Sequence, residues 1–120
     1  MNKRTLVIGA STKPGRYANL AIEMLKEYGH EVVAFGKDAG SVGDTPILQK
    51  IPDDHALDTV TMYVSPVNQP ELIPTILGLH PKRIIFNPGT ENPAFEKEAQ
   101  LQGIEVENAC TLVLLRSRMY

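Results

Sequence analysis

Short apolar runs that alternate with amphipathic segments restrict the fold of this chain more than any other feature. Continuous apolar runs bounded by turn residues are typical of buried strands. Strands are predicted at residues 5–9, 31–35, 59–64, 82–86 and 104–106, with a short extended segment at 45–50. Because strands that alternate with helices pair in parallel, the pattern predicts one α/β domain over residues 1–120. Its fold class is a doubly wound parallel sheet of about five strands, with helices on both faces.

The segment 17–28 has the clearest helical pattern. Its apolar residues recur three or four positions apart and form one stripe, and Gly29 supplies a left-handed end. The predicted stripe consists of Tyr17, Leu20, Ala21, Met24, Leu25 and Tyr28. Further helices are predicted at residues 68–79, between Asn92 and Gly103, and at 111–117.

Prolines and glycines set the boundaries of the other segments. Asn92 and Pro93 combine a helix cap with a first-turn proline, as many helix starts do. Asn68 is the predicted cap of the second helix, where Pro74 predicts a kink or a late start because it removes a backbone hydrogen bond. Residues 36–44 contain three glycines and are predicted to form a mobile loop.

Composition and charge limit the class of function. The 120 residues are 42% hydrophobic and 22% charged, as expected of a globular domain in water. A net charge of -2 argues against nucleic-acid binding through a basic surface. Cys110 is the one cysteine and cannot form an internal disulfide, which predicts a cytoplasmic location. No apolar run approaches the roughly 20 residues of a membrane span, and we expect no signal peptide.

The loop after the first predicted strand carries the strongest functional signal. Residues 9–16 are mostly small, which lets a backbone approach a ligand closely. The helix that follows aims free N–H groups and the positive end of its dipole at the same space, which suits a phosphate. Ligands of parallel sheets bind beyond the carboxyl ends of the strands, so residues 35–38, 65–67 and 87–92 are expected to meet this loop.

The loops distinguish among nucleotides. The dinucleotide fingerprint is incomplete, because Ser11 and Pro14 occupy two of its glycine positions. Lys37 follows the end of the second strand, where dinucleotide enzymes place an acid, and a lysine favours a phosphate on the ribose. This argues against NAD and leaves NADP or coenzyme A, although Lys37 equally fits a solvated loop lysine. No P-loop motif is present in the sequence.

Three motifs carry a resemblance to a known family. They are Gly9-Ala10-Ser11-x-x-Pro14, Asn87-Pro88-Gly89-x-Glu91-Asn92-Pro93 and Gly103-Ile104-Glu105-Val106. With them the whole chain resembles the small stand-alone CoA-binding domain proteins, which are similar to the nucleotide-binding domain of the succinyl-CoA synthetase alpha subunit. The resemblance implies a Rossmann-like fold that binds coenzyme A or an acyl-CoA. It also implies that the first loop holds the diphosphate and that the second loop holds the adenosine end.

Candidate ligand-binding residues therefore come from four segments. Several have structural alternatives: Gly9 permits tight packing, Arg16 fits a surface charge, and Asn87 fits a helix cap. The candidates are Gly9, Ala10, Ser11, Thr12, Pro14, Arg16, Tyr17, Gly36, Lys37, Ser65, Pro66, Asn87, Pro88 and Gly89.

The sequence offers no catalytic constellation. It contains no Ser-His-Asp grouping, no metal-ligand spacing and no paired carboxylates with a reason to share a site. We therefore expect a binding or regulatory module for a small nucleotide ligand, without nucleic-acid or membrane partners. The alternatives are a small NADP-binding oxidoreductase and an accessory subunit of a larger acyl-CoA enzyme. The apolar residues 112–115 are expected to pack on the sheet or to form a contact in a homodimer. A subunit of a larger enzyme is the other protein partner that we consider.

Overall fold

A seven-stranded sheet forms the centre of the computed structural model, which describes residues 2–120. The strands are β1 (Thr5–Ile8), β2 (Val32–Phe35), β3 (Gly40–Val42), β4 (Thr45–Leu48), β5 (Thr59–Met62), β6 (Arg83–Phe86) and β7 (Glu105–Asn108). Their order in the sheet is β3-β4-β2-β1-β5-β6-β7. All neighbours pair in parallel except β3 and β4. The predicted doubly wound α/β class is confirmed, with seven strands in place of about five.

Four helices cover both faces of the sheet: α1 (Tyr17–Glu27), α2 (Ile73–Gly78), α3 (Pro93–Leu101) and α4 (Thr111–Arg116). Successive side chains of a strand point to opposite faces. Leu6 and Ile8 accordingly pack in one core with Phe95 of α3, and Val7 packs in the other with Ile22 of α1. Within residues 2–120, no helix has the length and apolar character that crossing a membrane requires.

The prediction of a mobile loop at residues 36–44 is wrong in part. Within it, β3 pairs antiparallel with β4 and places Val42 in the core, only 3% exposed. Gly43 has a φ of +59° and begins the two-residue turn between Val42 and Thr45, which is the position that such hairpins give to glycine. Gly40 and Gly43 therefore lie in a tight hairpin at the sheet edge.

The second predicted helix is divided and starts late. Residues Pro66–Asn68 form a 3-10 helix, and α2 begins only at Ile73. Asn68 is therefore not a helix cap, and its side chain donates to Ser65 Oγ instead. Pro74 lies in the first turn of α2, where a missing N–H costs nothing, which confirms the predicted late start.

The buried face of α1 coincides only in part with the predicted stripe, because Ala21 and Leu25 are buried as predicted but the face also includes residues outside the stripe. Ala18 and Ile22 are buried, whereas Tyr17 is 70% exposed and Leu20 is 37% exposed. The stripe included Tyr17 because aromatic rings count as apolar, but the buried side of the first turn of α1 is formed by Ala18 and Asn19. Leu101, at the end of α3, is also an exposed apolar residue.

Tyr120 is held at the amino ends of the strands. The Tyr120 ring lies 4.4 Å from the guanidinium carbon of Arg83 and 4.9 Å from the His30 ring. Its backbone oxygen accepts a hydrogen bond of 2.6 Å from Lys3 Nζ, and its hydroxyl shares one of 2.5 Å with Thr5 Oγ1. Tyr120 therefore packs at the end of the sheet that is opposite the carboxyl ends of the strands.

Stability is expected to fall as the pH drops below about 6.5, the pKa of an unfolded-chain histidine. Burial, followed by nearby positive charges, lowers the pKa of His30, whose Nδ1 accepts a hydrogen bond of 2.9 Å from the Lys3 N–H. The unfolded chain therefore takes up this proton at a higher pH than the folded chain does, and unfolding is favoured on acidification. His30→Gln should flatten the slope of unfolding free energy between about pH 5 and pH 7 in urea titrations. An unchanged slope would contradict this assignment.

Candidate functional site

Three adjoining cavities form a groove along the carboxyl ends of the strands. The first cavity has a volume of about 510 Å³ and extends from Lys37, after β2, past Gly9. The second cavity, of about 300 Å³, shares Gly9 with the first. The third, of about 350 Å³, shares Tyr17, Tyr63 and Pro88 with the second. The loops after β2, β1, β5 and β6 thus meet at this edge, as the strand pattern predicted.

Gly9 is fixed by close packing between two strands. Its φ is +97°, and a Cβ there would lie 2.9 Å from the backbone oxygen of Tyr63. The N–H groups of Gly9 and Ala10 both donate to the Phe35 oxygen, at 2.9 and 2.8 Å. These two donors are therefore used within the sheet, and the loop after Ala10 begins from a rigid base.

The start of α1 presents uncompensated positive charge to the second cavity. No side chain caps its N-terminal N–H groups, and no acidic residue lies in its first turn. Ser11 and the exposed Arg16 line this cavity, and within residues 2–120 Arg16 forms no salt bridge. Ser11 Oγ accepts a hydrogen bond from the Lys13 N–H, which leaves the hydroxyl proton free to donate. A helix start of this kind suits a phosphate group.

The second loop lies unusually close to the first. A Cβ at Gly36 would lie 2.4 Å from the backbone oxygen of Ala10, and the Gly36 N–H donates to the Leu48 oxygen at 3.0 Å. This approach places the exposed Lys37 in the wall of the first cavity. Val67, which is 81% exposed, lines the same cavity. The first cavity therefore combines a cation with apolar surface.

Asn87 supports the groove from beneath. It is 2% exposed, and its Nδ2 donates to Thr61 Oγ1 at 2.7 Å and to the Met62 oxygen at 2.8 Å. Its Oδ1 accepts from the Thr111 N–H at 2.8 Å. Because both donors and the oxygen are engaged within the protein, we assign Asn87 to positioning the loop after β6 and the start of α4.

Gln69 joins two of the site loops, a role that sequence reasoning missed. It is fully buried, and its Nε2 donates to the oxygens of Val64 and Thr90, each at 2.8 Å. Its Oε1 accepts from Asn92 Nδ2 at 2.9 Å. The predicted cap role of Asn92 is confirmed, since its side chain accepts from the Phe95 N–H. A lone glutamine in a polar stretch gives no sequence signal of such burial.

Tyr63 is a further residue that the sequence did not single out. Its ring lines both the second and the third cavities. Its hydroxyl oxygen is buried and has no hydrogen-bond partner within the part of the chain that is described. Burial raises the pKa of Tyr63, so the hydroxyl remains protonated at neutral pH. Tyr63 therefore offers the groove an aromatic surface and no charge.

The predicted site residues divide among the cavities. Most of the candidates line at least one cavity, and four line none of the three. The first cavity takes Gly9, Gly36 and Lys37; the second takes Gly9, Ser11, Arg16, Tyr17, Ser65, Pro88 and Gly89; the third takes Tyr17, Asn87 and Pro88; outside them lie Ala10, Thr12, Pro14 and Pro66. Thr12 instead packs against the hairpin, where a Cβ at Gly40 would lie 2.6 Å from its Cγ2.

Known proteins resemble this chain in sequence and in fold. Residues 3–116 match the family described as CoA binding domain. A crystal structure of an uncharacterized protein is 43% identical, with a TM-score of 0.97 over 100% of this chain and 99% of the other. A hypothetical protein from Pyrococcus horikoshii OT3 is 26% identical, with a TM-score of 0.84 over 98% and 83% of the two chains. A protein of Thermus thermophilus, 22% identical, shares the fold with a TM-score of 0.80 over 98% and 91%. No curated protein matches the chain.

Proposed function

Because this chain belongs to the CoA-binding domain family, we propose that it binds coenzyme A or an acyl-CoA as a non-catalytic binding or regulatory module. One observation carries the proposal. The cavity lined by Lys37 adjoins, through Gly9, the cavity at the uncapped start of α1. Two positively charged positions therefore lie side by side, as a nucleotide with a ribose phosphate and a diphosphate requires.

The adenosine end is proposed to occupy the first cavity. Its base would lie against the apolar side chains of Val64, Val67 and Leu72, and its ribose phosphate would lie near Lys37. Glu71 is the one acidic residue among those that line the three cavities, so the groove as a whole favours an anionic ligand.

The diphosphate is proposed to occupy the second cavity. Ser11 can donate its hydroxyl proton, Arg16 can donate from its guanidinium, and the first N–H groups of α1 lack partners within the helix. Ser65 and Gly89 would line the two sides. Charged hydrogen bonds to phosphate oxygens are stronger than neutral ones, so this part of the groove should contribute much of the affinity.

Isothermal titration with coenzyme A tests the proposal directly. We expect saturable binding, with weaker binding of dephospho-CoA because that ligand lacks the ribose phosphate. Absence of heat and of saturation at about 1 mM ligand would reject the proposal, since it corresponds to less than about 4 kcal/mol of binding free energy. Tighter binding of NADPH than of coenzyme A would reject it in favour of the oxidoreductase alternative.

Lys37→Ala is expected to weaken coenzyme A by about fivefold and to leave dephospho-CoA nearly unchanged. The expected loss is modest because Lys37 is exposed, so water screens its ion pair with the phosphate. Lys50→Ala is the matched control, since Lys50 is also exposed and lines none of the three cavities. Equal losses for both ligands in Lys37→Ala would contradict the ribose-phosphate role.

A further inference from the structure

Exposed apolar side chains concentrate on one surface of the protein, which α1 and α4 form. Of the seven large apolar residues that are exposed within residues 2–120, five lie in these two helices or within three residues of their ends. Exposed apolar groups that occur together, unlike single ones, mark a surface that another molecule covers. We name this surface the α1–α4 strip, and its apolar residues are Tyr17, Leu20, Tyr28, Val113 and Met119, which are between 37% and 71% exposed.

The two helices of the α1–α4 strip lie side by side and run in the same direction. Helix α1 packs against α4. Tyr17, at the start of α1, lines the third cavity together with Val113, near the start of α4. The ring centres of His30, shortly after α1, and Tyr120, shortly after α4, lie 4.9 Å apart. The exposed apolar residues of the two helices therefore belong to one continuous surface.

The core uses only part of the apolar stripe of α1. Ala21 and Leu25 of this stripe are fully buried, whereas Tyr17, Leu20 and Tyr28 are exposed. Spacings of three and eight residues place these three side chains on one face of a helix. The sequence of α1 thus supplies apolar side chains for a second contact, beside the one that it makes with the sheet.

Charged residues of the two helices complement each other across the strip. Glu23 and Glu27 of α1 are exposed, as are Arg116 in α4 and Arg118 just after it. In the part of the chain that the structure describes, none of these four side chains forms a salt bridge. In a twofold contact, the acids of each α1 would face the arginines of the other copy's α4, and the same contact would occur twice. A surface that complements itself in this way favours a second copy over a different protein.

We propose that the α1–α4 strip is the contact surface of a twofold homodimer. Its apolar residues would form the centre of the contact and the four charged residues its rim, as in other protein interfaces. Helix α1 has 11 residues and is therefore about 17 Å long, and two neighbouring helices are about 20 Å wide. This area is small for a specific interface, so we expect a dissociation constant of about 100 µM. Such a dimer does not require the proposed ligand, although Tyr17 and Val113 place the third cavity at its border.

Sedimentation velocity of the full chain between about 5 and 500 µM tests the proposal, because the fraction of dimer rises with concentration. Leu20→Lys should raise the dissociation constant at least about tenfold, since each copy would bring an unpaired charge into the apolar centre. Leu101→Lys is the matched control and should leave association unchanged, because Leu101 is exposed but belongs to α3, outside the strip.

Exchange of charges tests the pairing of α1 with α4 and involves exposed positions alone. One variant carries Glu23→Arg and Glu27→Arg and is basic on both helices. The other carries Arg116→Glu and Arg118→Glu and is acidic on both. Each variant alone should remain monomeric, because like charges would face each other. An equimolar mixture should form dimers at least as readily as the wild type, since both contacts then join opposite charges, and high salt should weaken the mixed dimer.

Four results would overturn the homodimer. A wild type that stays monomeric up to about 500 µM would leave the strip to a different partner. Equal effects of Leu20→Lys and Leu101→Lys would place the contact elsewhere. A mixture of the two charge variants that stays monomeric would refute the pairing of α1 with α4. A mass that keeps growing beyond that of a dimer would indicate an open head-to-tail contact in place of a closed twofold one.

Discussion

Gly36→Ala is expected to lower the free energy of unfolding by about 3 kcal/mol, at the upper end of the cost of forcing atoms into a packed site. The added Cβ would lie 2.4 Å from the backbone oxygen of Ala10, and a backbone atom cannot move aside as a flexible side chain can. Relief requires the loops after β1 and β2 to separate, which would displace Lys37 from the start of α1. Urea denaturation measures the loss of stability, and isothermal titration is expected to show coenzyme A binding weakened by at least the roughly fivefold expected of Lys37→Ala.

Gly78→Ala provides the control for this prediction. A Cβ at Gly78 meets no atom within 4 Å, and Gly78 is the last residue of α2. Alanine is the better helix former and restricts the unfolded chain more, so stability should stay the same or rise by up to about 1 kcal/mol. If Gly36→Ala unfolded within about 0.5 kcal/mol of the wild type, the close approach of the two loops would be refuted.

Asn87→Ala is expected to lower the free energy of unfolding by about 3 kcal/mol. The change leaves the Thr111 N–H, the Thr61 hydroxyl and the Met62 oxygen each short of a partner, and an unpaired buried polar group costs roughly 1–3 kcal/mol. Three such groups act together here, although Thr61 and Thr111 keep the hydrogen bond between their hydroxyls. Thermal and urea unfolding with a common baseline would measure the loss.

Asn108→Ala is the matched control for Asn87. Asn108 is exposed, and its side chain donates only to Glu96 Oε1, so its loss should cost no more than about 0.5 kcal/mol. One outcome of Asn87→Ala would contradict the positioning role. Full stability together with lost coenzyme A binding would mean that Asn87 contacts the ligand, which would replace the positioning role.

The sequence predicted the order of the strands and helices apart from β3 and the 3-10 helix at Pro66–Asn68. Strands that helices cover on both faces consist of continuous apolar runs. Such runs are visible in the sequence, so these strands could be predicted. The short strand β3 escaped prediction because Gly40 and Gly43 resemble loop residues. Only the pairing with β4, a contact between segments, gives Val42 its place in the core.

The sequence predicted where the groove lies, but it did not predict all of the residues that form it. Strand exits meet at one edge in any parallel sheet, which is why the loops containing Ser11, Lys37 and Pro88 were expected together. Gln69 and Tyr63 escaped prediction because their roles depend on what surrounds them. A buried amide and a ring in a cavity wall have the same sequence appearance as exposed ones.

The strand order sets the spacing of the loops along the groove. From β2 to β7 the sheet runs β2-β1-β5-β6-β7, which is four steps between neighbouring strands. With strands about 4.8 Å apart, the exits span about 19 Å along this edge of the sheet. Each part of an elongated ligand that lies across this edge contacts a different strand exit. We therefore expect the length of a ligand to affect its affinity, because a shorter molecule contacts fewer of the strand exits.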